Sequence, residues 1–429
     1  MNHRQFQLTL VLVLLAAGTV RGADQADWPS WRGPHDTGST EQGNYPIRFD
    51  ESTVHWRAEL PGKGCSTPIV LNRAIYVTAP VGGEDALLCF DWSGKLQWST
   101  TFGPQNAGKH RNGSGCNASP VSDASAVFVY FKSGTLAAVN LDGSIRWQTD
   151  LVERFGKDER FWDHGTSPVL TKQHVVMARM HAGDSWLAAF DKKSGNLAWK
   201  VPRNYETPVE ADQCYTTPLV VQHNGRQMLL VWGAQHLTLH DARDGEVYWS
   251  CGGFNPQSNK LWPAIATPVM VGNMAVICFG RNDRGEPRLH GIRLIGQGDV
   301  TDTNRVWQRK DIGSFVPTPV AHNGRVYLVR DKGEVECIDP TTGKTIWSDA
   351  FPRARAAFYA SPVIAGETLY APREDGVVFV ASIKGNRFEL LAENDLEESI
   401  IGSPVPVENR LLIRGQKHLY CLESSKSAN

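Results

Sequence analysis

The chain has 429 residues, with 44 Lys and Arg against 45 Asp and Glu and a formal net charge of −1. That balance argues against a general binder of nucleic acid or of anionic membrane, both of which call for a basic excess. At this length a sizeable core is available, so the eight cysteines are not needed as the framework of a small disulfide-held domain.

Taken in order, residues 1–22 read as a signal peptide: His3 and Arg4 form a short basic start, and Leu8 to Ala17 an apolar run. Val20 and Gly22 suit a cut before Ala23. The run is too short to span a bilayer comfortably, and no other segment approaches spanning length. No cysteine follows it, so lipid attachment is not expected, and the destination is periplasmic or secreted. Loss of Arg4 and Arg21 with the leader leaves 42 basic against 45 acidic residues. Residues 23–52 are rich in Pro and Gly and carry Asp27-Trp28-Pro29-Ser30-Trp31-Arg32-Gly33-Pro34. Two tryptophans this close are not expected to hang in water. The segment is read as a strap packed on the body of the protein, or as a cover over a binding face.

From residue 53 to 422 the sequence repeats. Thr318 to Trp347 reads as four short strands: Asn323-Gly324 and Asp331-Lys332-Gly333 are turn signals between β-branched and aromatic runs. A Ser/Thr-Pro-aliphatic start recurs eight times, at Pro68, Pro120, Pro168, Pro218, Pro268, Pro319, Pro362 and Pro404. A closing Gly-x-x-x-Trp recurs at Trp98, Trp147, Trp199, Trp249 and Trp347. The fifth repeat reaches Trp307 through an insertion, Leu294 to Asn304, and the seventh replaces the Trp with Leu391. One such sheet cannot bury both faces alone, so the copies must pack on one another. The eighth copy holds only three strands, and Thr53 to Trp56 supply a fourth from the other end of the chain. The fold expected is all-β: an eight-bladed β-propeller of four-stranded antiparallel blades, closed by pairing of the N- and C-terminal strands, with a tail at 423–429.

The repeat, seen as AFDKKSGNLAW (Ala189–Trp199) and CIDPTTGKTIW (Cys337–Trp347), resembles the tryptophan-docking repeat of quinoprotein alcohol dehydrogenases. It is similar also to BamB-type propellers and to PQQ-like repeat proteins, and residues 24–50 resemble the leader of such propellers in planctomycete-type bacteria. The resemblance covers residues 53–422 and implies a fold far more than an activity. For a quinoprotein it implies a PQQ cofactor on a Trp floor against a disulfide of adjacent cysteines, Ca²⁺ held by carboxylate and amide, and an Asp base. Cys65 and Cys89, 24 residues apart, are the closest pair in this sequence. Cys89, Cys278, Cys337 and Cys421 read as buried thiols. Cys65, Cys116 and Cys214, each three or four residues before a blade-opening Pro, leave pairing or metal binding open.

Propeller chemistry gathers at one mouth of the channel, in the loops from fourth to first strand and from second to third. The first set carries His110, Trp162, His164, Tyr215, Trp262, Arg353, Arg355 and Tyr359 among other polar residues; aromatic residues in a loop suggest contact with something. His110, His164, Glu210 and Asp163 are candidate acids. In the second set Arg179, Arg330, Arg373 and Arg414 share one repeat position. Converging guanidinium groups suit an anionic ligand, although Asp331, Glu374 and Asp375 follow them and are able to pair with them. Two functions fit. One is a non-catalytic scaffold for a protein, peptide, glycan or other anionic ligand, with no cofactor. The other is a divergent dehydrogenase using PQQ with Ca²⁺.

Overall fold

A computed structural model describes residues 27–41 and 43–424. The leader, with its expected cut before Ala23, lies outside the described residues, as do 23–26 and 425–429. Eight antiparallel sheets follow one another along the chain and form the eight blades of a propeller. Blade 6 shows how. Its strands are Val320–His322, Arg325–Val329, Glu334–Ile338 and Thr345–Ala350. Asn323 and Gly324 between the first two both have positive φ, 47° and 72°, the backbone that a two-residue hairpin needs. The three inner strands are largely buried and the outermost is mostly exposed, so the apolar runs fall where neighbouring blades press on both faces.

The ring closes within blade 8. Val54–Glu59 pairs antiparallel with His418–Glu423, from Val54 opposite Leu422 to Glu59 opposite His418. The two termini thus complete one sheet, as the repeat count required.

Two sequence signatures find their physical reason between blades. The glycine of Gly-x-x-x-Trp receives the tryptophan of the blade before it. The ring of Trp56 lies against Gly94, Trp98 against Gly143, Trp147 against Gly195, Trp199 against Gly245 and Trp307 against Gly343. Each of these glycines has φ between 71° and 90°, and an added Cβ would lie within 2.8 Å of the indole. Backbone conformation and close approach both demand glycine there. Trp249 meets no such glycine. The insertion in blade 5 supplies Gly298–Asp299, which pairs parallel with Trp249 and Ser250 and adds a fifth strand to blade 4.

The second signature is the hydroxyl before each blade-opening proline. The Thr67 backbone N–H donates to the Ser119 hydroxyl, Ser119 to Ser167, Ser167 to Thr217, Thr217 to Thr267, Thr267 to Thr318, and Thr318 to Ser361, each at 2.9–3.0 Å. Ser403 N–H donates to Thr67 Oγ1. At the remaining step, from blade 7 to blade 8, the Ser403 hydroxyl instead meets the Trp31 indole N–H at 3.3 Å. A belt of side-chain hydroxyls therefore satisfies buried main-chain donors around the channel. Proline next to each holds the preceding residue extended and brings no donor of its own. Replacing Thr267, which is 1% exposed, with Val orphans the Thr217 N–H. Such a loss costs about 1–3 kcal/mol, whereas Thr267→Ser should restore the wild-type melting temperature; equal melts for Val and Ser variants would mean that the belt carries no stability.

The strap crosses the end of the channel where first and second strands turn. Trp28, fully buried, bridges to Val70 of blade 1. Pro29 O accepts from Ser122 of blade 2, and Thr37 O from Ala321 of blade 6. Ser39–Thr40 then pairs parallel with Ile364 and Ala365 of blade 7. Arg32, 2% exposed, donates to the carbonyls of the blade-opening Pro319 and Pro362 at 3.0 Å. The strap is thus a plug for the channel as well as a surface layer.

Candidate functional site

The opposite end, where fourth strands cross to the next first strand, is the mouth. Segment 105–117, between blades 1 and 2, is long enough to cross it. Two carboxylates hold this crossing. Asp163 of the next loop accepts from the Lys109 and His110 N–H groups at 2.8–2.9 Å and pairs with Lys132 at 2.7 Å. Glu374, across the ring in blade 7, accepts from Arg111 at 2.8 Å, Asn112 at 2.6 Å and the Ala357 N–H at 2.9 Å. Burial opposes ionisation of both acids, but their donors outweigh it, and both pKa values lie below the usual carboxylate range.

A folded pKa below the unfolded one stabilises the crossing above the unfolded value and loses that support as pH falls through the folded value. For Glu374, with an ordinary value of 4.5, the loss comes in the acid range below that. Amide exchange at Lys109–Gly113 should therefore accelerate there relative to the strands beneath, and Glu374→Gln should show the faster exchange already at neutral pH. Unchanged exchange in that variant would show that the crossing stands without its carboxylate.

Beneath the crossing is a cavity of about 520 Å³. Its floor is Trp31 of the strap with the hydroxyl belt (Thr67, Ser119, Ser167, Thr318, Ser361 and Ser403). Its upper wall carries Trp162, Tyr215, Phe315 and Tyr359, the acids Asp163, Glu210, Asp283 and Asp331, and the bases Arg281 and Lys332. The His110 ring stands edge-on to Trp162 at 5.2 Å and 5.9 Å from Tyr359. Burial, reinforced by Arg111, lowers its pKa. Burial raises that of Asp331, even though the Phe315 and Val316 N–H groups bond to it.

Of the residues expected at the mouth, His110, Trp162, Tyr215 and Tyr359 are brought together on this cavity. His164 is not on it. It is 3% exposed, contacts Arg160, and bonds the Thr166 carbonyl at 2.6 Å; burial and the Arg160 charge push its pKa down to about 4. Trp262 is buried in the wall, its indole donating to Glu286 and its ring under Arg288.

The four aligned arginines do not converge on the mouth. Arg179 lies over Trp186 and donates to the Phe155 and Gly156 carbonyls. Arg414 donates to the Ser66 carbonyl and hydroxyl. Arg330 takes Glu336 and Asn282, and Arg373 takes Asp375. A guanidinium presents five donors in a rigid fork. At this repeat position the fork braces neighbouring groups, and three of the four arginines serve backbone carbonyls, Arg373 through Pro352 O at 3.4 Å. Arg353 and Arg355 are exposed on the rim, apart from the cavity lining. Sequence reasoning missed Trp31, Phe315, Arg281 and Lys332. The strap tryptophan was visible but its depth was not, because nothing local says that a strap enters a channel.

All eight cysteines are free thiols. Among the described residues no cluster of three or more His, Cys, Asp or Glu is placed to hold a metal ion. Asp163 and Asp331, the buried acids of the cavity, have both oxygens bonded. Cys65 is the one cysteine on the cavity, so the disulfide of adjacent cysteines that the dehydrogenase resemblance implies is not there. No helix among the described residues is long and apolar enough to cross a membrane.

A plugged eight-bladed ring with an aromatic mouth places the protein among propellers of the PQQ-like class. A family profile described as outer membrane protein assembly factor BamB matches residues 83–349, more than half of the chain, and the protein belongs to that family. Outer membrane protein assembly factor BamB of Moranella endobia is 26% identical over 258 residues, 58% of this chain and 61% of that one. Among solved structures, BamB of Moraxella catarrhalis superimposes with a TM-score of 0.62 at 14% identity, over 88% of this chain and 99% of that one. Quinohemoprotein alcohol dehydrogenase of Comamonas testosteroni reaches 0.69 at 12% identity, over 96% and 82%. At such identities the structural likeness shows the fold alone.

Proposed function

We propose that this protein is an exported, non-catalytic scaffold whose mouth holds a segment of another protein. One observation carries the reading. Phe161, Trp162 and Val209, in the loops around blade 3, are 60%, 42% and 65% exposed, and Trp162 runs straight into the cavity lining. Large apolar groups grouped at the open end of a cavity mark an interaction surface. The leader read from the sequence and the naming of relatives as outer membrane assembly factors support export. The anionic-ligand form of the reading loses its main support, since the aligned arginines are bonded within the wall.

Site-specific photo-crosslinking tests this. A crosslinker at Trp162 should give a discrete adduct in the envelope, whereas crosslinkers at Leu197 on an outer strand and His223 on the strap face should not. Adducts at those two sites and none at Trp162 would move the partner to another surface. A stoichiometric quinone chromophore on adding PQQ and Ca²⁺ would favour the dehydrogenase reading instead.

A further inference from the structure

The charges of the cavity wall are unevenly distributed. Asp163 is matched by Lys132 at 2.7 Å and Asp283 by Arg281 at 2.6 Å. Glu210 has no side-chain hydrogen bond or ion pair among the described residues, yet it lines the cavity. Its charge is felt by both Tyr215 and Arg281. Arg281 therefore faces two acids, and within the cavity lining one negative charge on the side of blades 3 to 5 is left over. Within the lining, the cation without an ion pair, Lys332, sits on the side of blade 6; outside it, Arg353 and Arg355 stand on that side too, while Lys109, on the Phe161 carbonyl, and Lys260 stand on the other. The side with the spare negative charge is also the side with Trp162, Tyr215 and the exposed Phe161 and Val209.

The wall already shows what such surroundings hold. The Arg281 guanidinium makes two bonds to Asp283, at 2.7 and 2.6 Å, and lies 4.9 Å from the Phe315 ring centre. An aromatic face with a carboxylate beside it is a site for a cation, because the ring quadrupole and the anion attract it together. Arg160, paired with Asp158, lies 5.8 Å from the Tyr215 ring centre in the same way, and Arg32 lies 5.7 Å from the Trp31 ring at the floor. Trp162 and Glu210, both on the cavity lining, offer those components with no internal cation bonded to the carboxylate.

Resting on the mouth reading above, we propose that the partner segment anchors in this cavity by a lysine or arginine side chain flanked by apolar residues, its cation set between Trp162 and the Glu210 carboxylate. The apolar flanks cover Phe161 and Val209.

The test uses three fluorescent pentapeptides, Ala-Leu-X-Leu-Ala with X as lysine, norleucine or glutamate, and anisotropy titrations of the full chain. The lysine peptide should bind about tenfold more tightly than the norleucine peptide, equivalent to about 1.4 kcal/mol. That advantage should shrink at high salt and vanish in Glu210→Gln without a change in melting temperature. Trp162→Ala should weaken both. Equal binding of lysine and norleucine peptides, tightest binding of the glutamate peptide, or no binding of the lysine peptide overturns the cationic anchor. If all three peptides bind alike and all are weakened by Trp162→Ala, the mouth remains the binding face and the anchor alone fails. If Trp162→Ala weakens none that binds, both readings fail.

Discussion

Removal of residues 27–59 will convert the protein into an aggregating species. That segment holds the strand Val54–Glu59, which completes blade 8, and the strap that plugs the channel. Without the strand, His418–Glu423 becomes a free edge, and Leu419, Cys421 and Leu422, fully buried in the intact ring, lose part of their cover. Unpaired edges with apolar flanks template association with other chains. Loss of Trp28 and Arg32 compounds this, since both are buried against the ring. Size-exclusion chromatography and far-UV spectra provide the measurement. A soluble monomer with undiminished strand content would show that the ring closes without its terminal strand.

Trp249→Ala should be the most damaging of the closing-tryptophan replacements, at roughly 3–5 kcal/mol, the range for deleting a buried aromatic side chain. The Trp249 side chain is fully buried, in a core cluster that joins blades 3, 4 and 5, with the inserted strand Gly298–Asp299 paired alongside. Trp347 occupies the same repeat position but is only half-buried. Because the transfer contribution scales with apolar area removed from water, Trp347→Ala should cost less. Thermal melts of the two variants decide the order. A reversed order would place the main support of the ring in its rim indoles rather than at the patched junction of blades 4 and 5.

Blade number, boundaries and ring closure were legible because each rests on a short-range signal that repeats. The Asn-Gly turn, the Ser/Thr before proline and the glycine before tryptophan need only a few neighbours to take effect. Side-chain destinations were not legible in the same way. Arg179, Arg330, Arg373 and Arg414 align perfectly, yet a guanidinium reaches several ångströms and selects whichever carbonyl or carboxylate its neighbours leave open. The loop aromatics His110, Trp162, Tyr215 and Tyr359 do come together on one cavity. Trp262 and His164, equally aromatic loop residues, are instead absorbed by the wall. Glu374 was read as a neighbour that pairs with Arg373; it pairs with Arg111 from across the ring, a contact that depends on how far segment 105–117 extends.

The hydroxyl belt also shapes the electric field on the channel axis. Each of its N–H bonds points from one blade to the next, along the circumference. Peptide dipoles aligned along a helix add up and concentrate positive potential at its N-terminus. Dipoles laid head to tail around a circle cancel at its centre. The innermost layer of this propeller therefore exposes many polar groups to the cavity while giving it almost no charge preference. Selectivity is left to the few side chains at the upper wall, so the sign of the preferred ligand can be reversed there by one or two substitutions without disturbing the ring.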